Sequence, residues 1–290
     1  MALFELLAGS PATFILLLGA LGLLVGSFVN VVVHRLPLMM EREWHRDCVA
    51  LLHPDDAQPA AERFNLAVPR SRCPGCGGRI SALDNVPVLS WLMLRGRCRH
   101  CGTRIAARYP IVETVAGVMG AVVAWRFGFG AAALLAACLS WSLLALALID
   151  YDTMLLPDSI TLPLLWLGLL VNLFDTFTRL DTAVIGAMAG YLVLWSIYWL
   201  FKLTTGKEGM GYGDFKLLAA LGAWLGWPLL PSIILAAAGV GSLVGLTMIA
   251  LRSHDRTKPI PFGPYLAAAG WLCLVWGDVL AGMLAVGSGL

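Results

Sequence analysis

Charge is what this sequence has least of. Its 290 residues include 20 basic and 18 acidic side chains, 13% in all, against about 25% in a soluble globular chain. Together with 59% hydrophobic residues and a mean hydropathy of +0.80, that shortage excludes a water-soluble domain and points to an integral membrane protein. A net charge of +2 is too small to imply a nucleic-acid partner. Residues 1–10 hold neither Lys nor Arg, and the apolar run over 11–33 is longer than the core of a cleavable signal, so it reads as a first membrane span. There is no glycine-rich nucleotide fingerprint and no internal repeat of the kind that builds the two halves of a carrier.

What is there instead is a series of long apolar runs. On a scale of roughly 20 residues per crossing, eight spans are expected, at about 11–33, 110–126, 131–149, 157–174, 183–203, 215–230, 231–251 and 263–286. The fold class that follows is an all-α polytopic membrane protein. A polar segment between helices 1 and 2 divides the chain into a first transmembrane helix (1–33), a loop domain (34–109) and a seven-helix membrane core (110–290). Basic residues collect on the cytosolic side of membrane proteins. Twelve arginines lie in 34–109, Lys202, Lys207 and Lys216 follow the fifth span, and Arg252, Arg256 and Lys258 follow the seventh, while only Arg126 and Arg179 fall on the other side. The loop domain is therefore placed in the cytosol and both termini outside it. Residues 41–68, of mixed charge and with Pro54 and Pro59, read as a mobile or partly helical linker.

The loop domain carries two Cys-x-x-Cys pairs, Cys73 with Cys76 and Cys98 with Cys101, separated by 21 residues. Each pair sets two thiolates on one tight turn, and two such turns make a tetrahedral four-sulfur zinc site. A thioredoxin-like redox motif needs only one pair and an α/β context. A closed four-thiolate site leaves no open coordination position, so the metal is expected to be structural. His100 is a bystander in the second pair, and Cys48, Cys138 and Cys273 are read as unpaired thiols.

Two carboxylate sites flank the hairpin of spans four and five. The first is Asp150-Tyr151-Asp152; the second is Asp214 in Gly209-Met210-Gly211-Tyr212-Gly213-Asp214. In the eight-span topology Asp150 ends a helix running towards the cytosol and Asp214 begins one leaving it, so both lie at the cytosolic face. A carboxylate at the mouth of a span is expensive and usually functional, and glycines beside it let another backbone approach. Asp152 and Asp158 are read as polar turn residues, Asp158 where a helix N-terminus favours an anion. Asp150, still attached to the apolar run 143–149, is the more desolvated. A close pair of carboxylates shares one proton, so one is an acid and the other a base. Such a pair can activate a water for attack on a carbonyl and protonate a leaving amide nitrogen. Hydrolysis of a peptide bond at the end of a hydrophobic segment is the expected chemistry.

The ordered set of motifs resembles the type IV prepilin peptidases, inner-membrane members of the GxGD aspartic proteases. It comprises Gly26 to Asn30 with His34, Arg35 and Pro37, the two cysteine pairs, Arg108 to Glu113, Asp150 to Asp158, Gly206 to Lys216, and Pro259 to Pro264. The resemblance implies a catalytic dyad of Asp150 and Asp214 and zinc on Cys73, Cys76, Cys98 and Cys101. It also implies prepilin and pseudopilin substrates with a basic leader, cut at the cytosolic face of the bilayer. Members with the cysteine loop typically methylate the new N-terminus with S-adenosylmethionine, for which no binding residues are assigned. Asn30 and Glu113 are polar groups within or at the edge of spans, read either as helix-to-helix hydrogen-bonding groups or as participants in methyl transfer. The proline-rich 259–264 is expected to be a loop that shapes the mouth of the site rather than a regular helix. Two other classes fit less well. A proton- or cation-coupled transporter would place its carboxylates at midplane, and a zinc-bearing scaffold leaves the carboxylates unexplained.

Overall fold

The computed structural model describes residues 8–52, 63–73, 75–81, 83–251 and 260–287. Pro54 and Pro59 of the linker, Pro74 of the first cysteine pair, and Arg252, Arg256, Lys258 and Pro259 lie outside the described residues. Among those described, the chain is all-helical. Its helices are α1 Pro11–Leu52, α2 Leu89–Met93, α3 Arg108–Phe127, α4 Ala131–Thr153, α5 Asp158–Asn172, α6 Leu180–Thr205, α7 Tyr212–Leu225, α8 Leu230–Ala250 and α9 Gly263–Gly287. Isolated antiparallel bridges join Arg72 to Arg79 and Arg97 to Arg104. Two compact units result, residues 1–129 and 130–290.

Among the described residues, five helices are long and apolar enough to cross a membrane: Pro11–Leu52, Arg108–Phe127, Ala131–Thr153, Leu180–Thr205 and Trp227–Met248, the last including a 3-10 turn ahead of α8. Length and composition thus support five of the eight expected spans among the described residues. With a rise of 1.5 Å per residue, the 14 residues of α7 reach only about 21 Å, against a hydrocarbon core of about 30 Å.

In the first unit α1 begins at Ser10-Pro11. Proline suits the first helical position, and the Ser10 hydroxyl takes the Thr13 amide at 3.4 Å. The helix does not stop at residue 33, where the apolar run ends. It continues through Pro37 to Leu52, because 38–52 is rich in Leu, Met, Glu, Arg and Ala, good helix formers, and has no glycine. Small residues bring α1 and α3 close: a Cβ on Gly26 would lie 2.6 Å from the Glu113 Cα, and one on Gly22 would lie 2.8 Å from the Gly117 Cα. Such small-residue seams are how helices associate in lipid, where no hydrophobic driving force separates them from the solvent.

The second unit is built around α7. From Asp214 to Leu225 every side chain is buried except the half-buried Lys216. α6 packs against α7 through Gly186, Gly190 and Gly222, each close enough to the opposing backbone to leave no room for a methyl group. From α5, Gly168 lies under the Trp224 ring, and the indole Nε1 donates to the Leu164 carbonyl at 2.8 Å. Asn172 at the end of α5 donates to the carbonyls of Ala223 and Trp224 at 2.8 and 3.0 Å and accepts the amides of Phe177 and Thr178. The last carbonyls of a helix have no intrahelical partner, so this one amide closes the end of α7 and the turn after α5 together. Gly226, at φ +83°, a conformation open to glycine at little cost, ends α7 and turns the chain into α8.

Candidate active site and metal centre

Asp150 sits in the last turn of α4 and is 5% exposed. Its Oδ2 accepts the amide of Gly263, the first residue of α9, at 2.9 Å. The expectation for 259–264 is met in part: 260–262 is non-helical, but a helix begins at Gly263 and its free N–H is the contact to Asp150. The first amides of a helix have no partner of their own and favour an anion. A Cβ on Gly263 would stand 2.6 Å from the Asp150 Oδ2, so only glycine lets this backbone come so near.

Asp214 lies in the first turn of α7 and is 6% exposed. The Gly211 amide donates to its Oδ2 at 3.2 Å, and the Asp214 amide returns a bond to the Gly211 carbonyl at 3.3 Å. Its Oδ1 is buried and, among the described residues, has no hydrogen-bond partner. A buried carboxylate oxygen left unpaired costs at least about 1–3 kcal/mol, and such groups mark places where chemistry is done. Among the described residues, Asp150 and Asp214 are the buried carboxylates of this unit. One side chain links their supports. Leu156, in the turn between α4 and α5, would meet a Cβ on Gly213 at 2.6 Å and one on Gly263 at 3.3 Å, and so packs against both the residue before Asp214 and the residue that holds Asp150.

Asp158 has a structural partner: Lys216 Nζ lies 2.7 Å from both of its carboxylate oxygens, joining the starts of α5 and α7. Asp152 is exposed on the last turn of α4. Lys202 donates to Glu208 at 2.8 Å and to the Tyr198 hydroxyl at 3.1 Å, a bond that holds Glu208 below the usual carboxylate range. Sequence reasoning missed Leu156 and the Lys216–Asp158 pair, since neither belongs to a spacing that announces chemistry.

In the first unit the four cysteine sulfurs converge. All lie within 4.8 Å of one another, and Cys73 and Cys101 Sγ are 3.7 Å apart. Sulfurs about 2.3 Å from a tetrahedral metal stand about 3.8 Å apart, so the cluster is sized for such an ion. The two turns are built alike. The Gly77 amide donates to the Cys73 carbonyl at 2.8 Å and the Gly102 amide to the Cys98 carbonyl at 3.0 Å; the Cys73 and Cys98 amides then take the carbonyls of Gly78 and Thr103, each at 2.9 Å. Gly77 and Gly102 have φ of +67° and +71°, which favours glycine after each pair. Hydrogen bonds with Thr103 pull the Cys101 thiol down to about 6. Cys48 and Cys138 are exposed, Cys273 is buried, and none takes part.

Glu113 is buried on α3, and its Oε2 accepts the Val88 amide at 2.7 Å. Asn30 donates to the Tyr109 carbonyl at 3.2 Å, from α1 to α3. Asn30 thus makes a helix-to-helix hydrogen bond, whereas Glu113 ties α3 to the loop residue ahead of α2.

An all-helical membrane protein with two buried carboxylates and a four-thiol cluster defines the class. Family comparisons narrow it. The bacterial peptidase A24 N-terminal domain matches residues 20–127, and the type IV leader peptidase family matches residues 137–246. The chain is 57% identical over 276 residues to a prepilin leader peptidase/N-methyltransferase of Aeromonas hydrophila, covering 95% of both chains. Proteins of the same name from Stutzerimonas stutzeri and Pseudomonas aeruginosa are 54% and 53% identical, over 94% and 96% of each chain. This chain belongs to the type IV leader peptidase family. No solved structure matches it.

Proposed function

We propose that this protein removes the basic leader from type IV prepilins and secretion pseudopilins at the cytosolic face of the inner membrane and then methylates the new N-terminus. Asp150 and Asp214 act as the aspartate dyad. The observation that carries this reading is the pair of buried carboxylates, each with one oxygen tied by a backbone amide and with Leu156 packed against the supports of both. Those amides fix the carboxyl planes, and the unpartnered Asp214 Oδ1 is the atom free to engage a water or the scissile carbonyl. One carboxylate takes a proton from water as it attacks the peptide carbon; the other gives a proton to the departing amide nitrogen. Gly211, which has no close neighbour, leaves space for an extended substrate backbone beside Asp214.

The four thiolates of Cys73, Cys76, Cys98 and Cys101 hold a structural zinc ion, which supplies no open position for catalysis. Eight spans, with the short α5 and α7 held within the core, and a cytosolic module between α1 and α3 complete the topology of a first helix (1–33), a loop domain (34–109) and a membrane core (110–290). S-adenosylmethionine supplies a methyl group for transfer to the freed amine. A cavity of about 300 Å³ in the first unit is lined by Val88, Trp91, Leu92, Pro110, Ile111 and Thr114, among others. It is apolar and does not match the ribose and amino-acid groups of that donor, so no donor-binding residue is assigned.

The test is incubation of the purified protein in detergent with a prepilin and isotopically labelled S-adenosylmethionine. Expected are a shortened product and label on its N-terminus. Cleavage without label would remove the transferase half of the reading, and intact prepilin would remove the whole.

A further inference from the structure

The cysteine module carries a charge pattern that leader cleavage does not use. Residues 63–107 contain eight arginines, no lysine and one carboxylate, Asp84, which Arg99 already holds. The antiparallel bridge that closes each cysteine turn sets two arginines directly opposite one another, Arg72 with Arg79 and Arg97 with Arg104. Like charges facing across a strand pair repel, yet the arrangement recurs at the same place in both turns. At the first turn it is part of a cavity. Arg70, Arg72 and Arg79, with Pro69, line a space of about 300 Å³, and among the described residues none of the three arginines forms an ion pair.

The walls of this cavity are held in place. On one side the Cys73 amide bonds the Gly78 carbonyl at 2.9 Å and the Ile80 amide bonds the Ser71 carbonyl at 3.1 Å. On the other, the buried Arg35 of α1 donates to the carbonyls of Asn65 and Pro69 at 2.9 and 2.6 Å. The Asn65 side chain takes the amides of Ala67 and Val68 at 2.9 and 2.7 Å. Three guanidinium groups therefore line a space that, among the described residues, has no counter-charge.

We propose that this cavity binds a phosphate-bearing anion through Arg70, Arg72 and Arg79. A guanidinium presents paired N–H donors that match two phosphate oxygens. An anion between Arg72 and Arg79 converts their repulsion into shared attraction. The same charge turns away a basic peptide, so this site is separate from whatever receives a leader. The headgroup of an anionic phospholipid and a soluble phosphate offer the same chemistry. The module is joined at both ends to helices long enough to cross a membrane, α1 and α3, which brings headgroups within reach.

The experiment is arginine modification by phenylglyoxal, read by peptide mass spectrometry, on the zinc-loaded full chain. Three preparations are compared: phosphatidylcholine nanodiscs, nanodiscs containing phosphatidylglycerol, and phosphatidylcholine nanodiscs with inorganic phosphate in solution. Modification of Arg70, Arg72 and Arg79 is expected to slow several-fold, relative to the exposed Arg46, in one or both of the latter two. Slowing with phosphatidylglycerol alone identifies a lipid headgroup, and slowing with inorganic phosphate identifies a soluble ligand. Equal modification in all three preparations, or slowing that extends equally to Arg46, overturns the proposal. A second measurement uses Arg72→Gln together with Arg79→Gln. With zinc content intact, this variant is expected to lose the protection of Arg70; undiminished protection would also overturn the site.

Discussion

At Gly263 the chain has no spare atom. Its amide reaches Asp150, and a single added methyl group would press on the carboxylate oxygen it serves. Gly263→Ala is therefore expected to cut the rate of prepilin cleavage at least about tenfold, the scale of effect a small misplacement of catalytic groups has, while leaving zinc content unchanged. An unaltered rate would show that this amide does not position Asp150. The cysteines behave in the opposite way. Cys73→Ser removes one of four sulfurs from a cluster in the first unit, whereas both aspartates belong to the second. The expected result is loss of bound zinc, measured by elemental analysis, with the aspartate chemistry not directly abolished. Full zinc occupancy in this variant would contradict the four-sulfur site. The carboxylates and the cysteine spacing were legible in the sequence because both are short-range patterns with a fixed chemical meaning. Leu156 was not: an apolar residue in a turn gives no sign that it will touch two glycines that lie 57 and 107 positions further on.

Among the helices, the ends differed most from expectation, for a local reason in each case. Past residue 33 the composition turns polar but stays helix-forming, so α1 runs on to Leu52 where an apolar count stops. From residue 217 to 235 the apolar run is interrupted only by glycines, a tryptophan–proline turn, Pro231 and Ser232, so composition cannot show that α7 ends at Leu225. The backbone of Gly226 decides it. Nor does hydropathy separate a helix facing lipid from one enclosed by its neighbours; α7 is short yet buried along nearly its whole length. Its seam with α6 depends on Gly186, Gly190 and Gly222. Gly222→Ala forces two backbones apart and is expected to destabilise the protein by about 1–3 kcal/mol, the usual cost of overpacking, seen as a lower melting temperature in detergent. A melting temperature equal to that of the unsubstituted protein would mean that the seam is looser than it stands here.

For the molecule as a whole, the distribution of charge carried most of the reading. A chain poor in charge that gathers eighteen of its 20 basic residues into three segments has a preferred orientation in a membrane. In the proposed topology the α4 and α7 carboxylate turns lie at one face. Family membership agrees in kind, since the relatives that match nearly end to end are named as leader peptidases and N-methyltransferases. The central claim is that Asp150 and Asp214 work as one acid–base pair. It is tested most directly by single-turnover cleavage of a prepilin in detergent by Asp150→Asn and, separately, Asp214→Asn. Each amide keeps the shape of the side chain and removes its ability to carry the proton. Both variants are expected to lose about 10²–10⁴-fold in rate, the usual contribution of a positioned acid or base, while keeping zinc and thermal stability. Cleavage at the unsubstituted rate by either one would contradict the dyad.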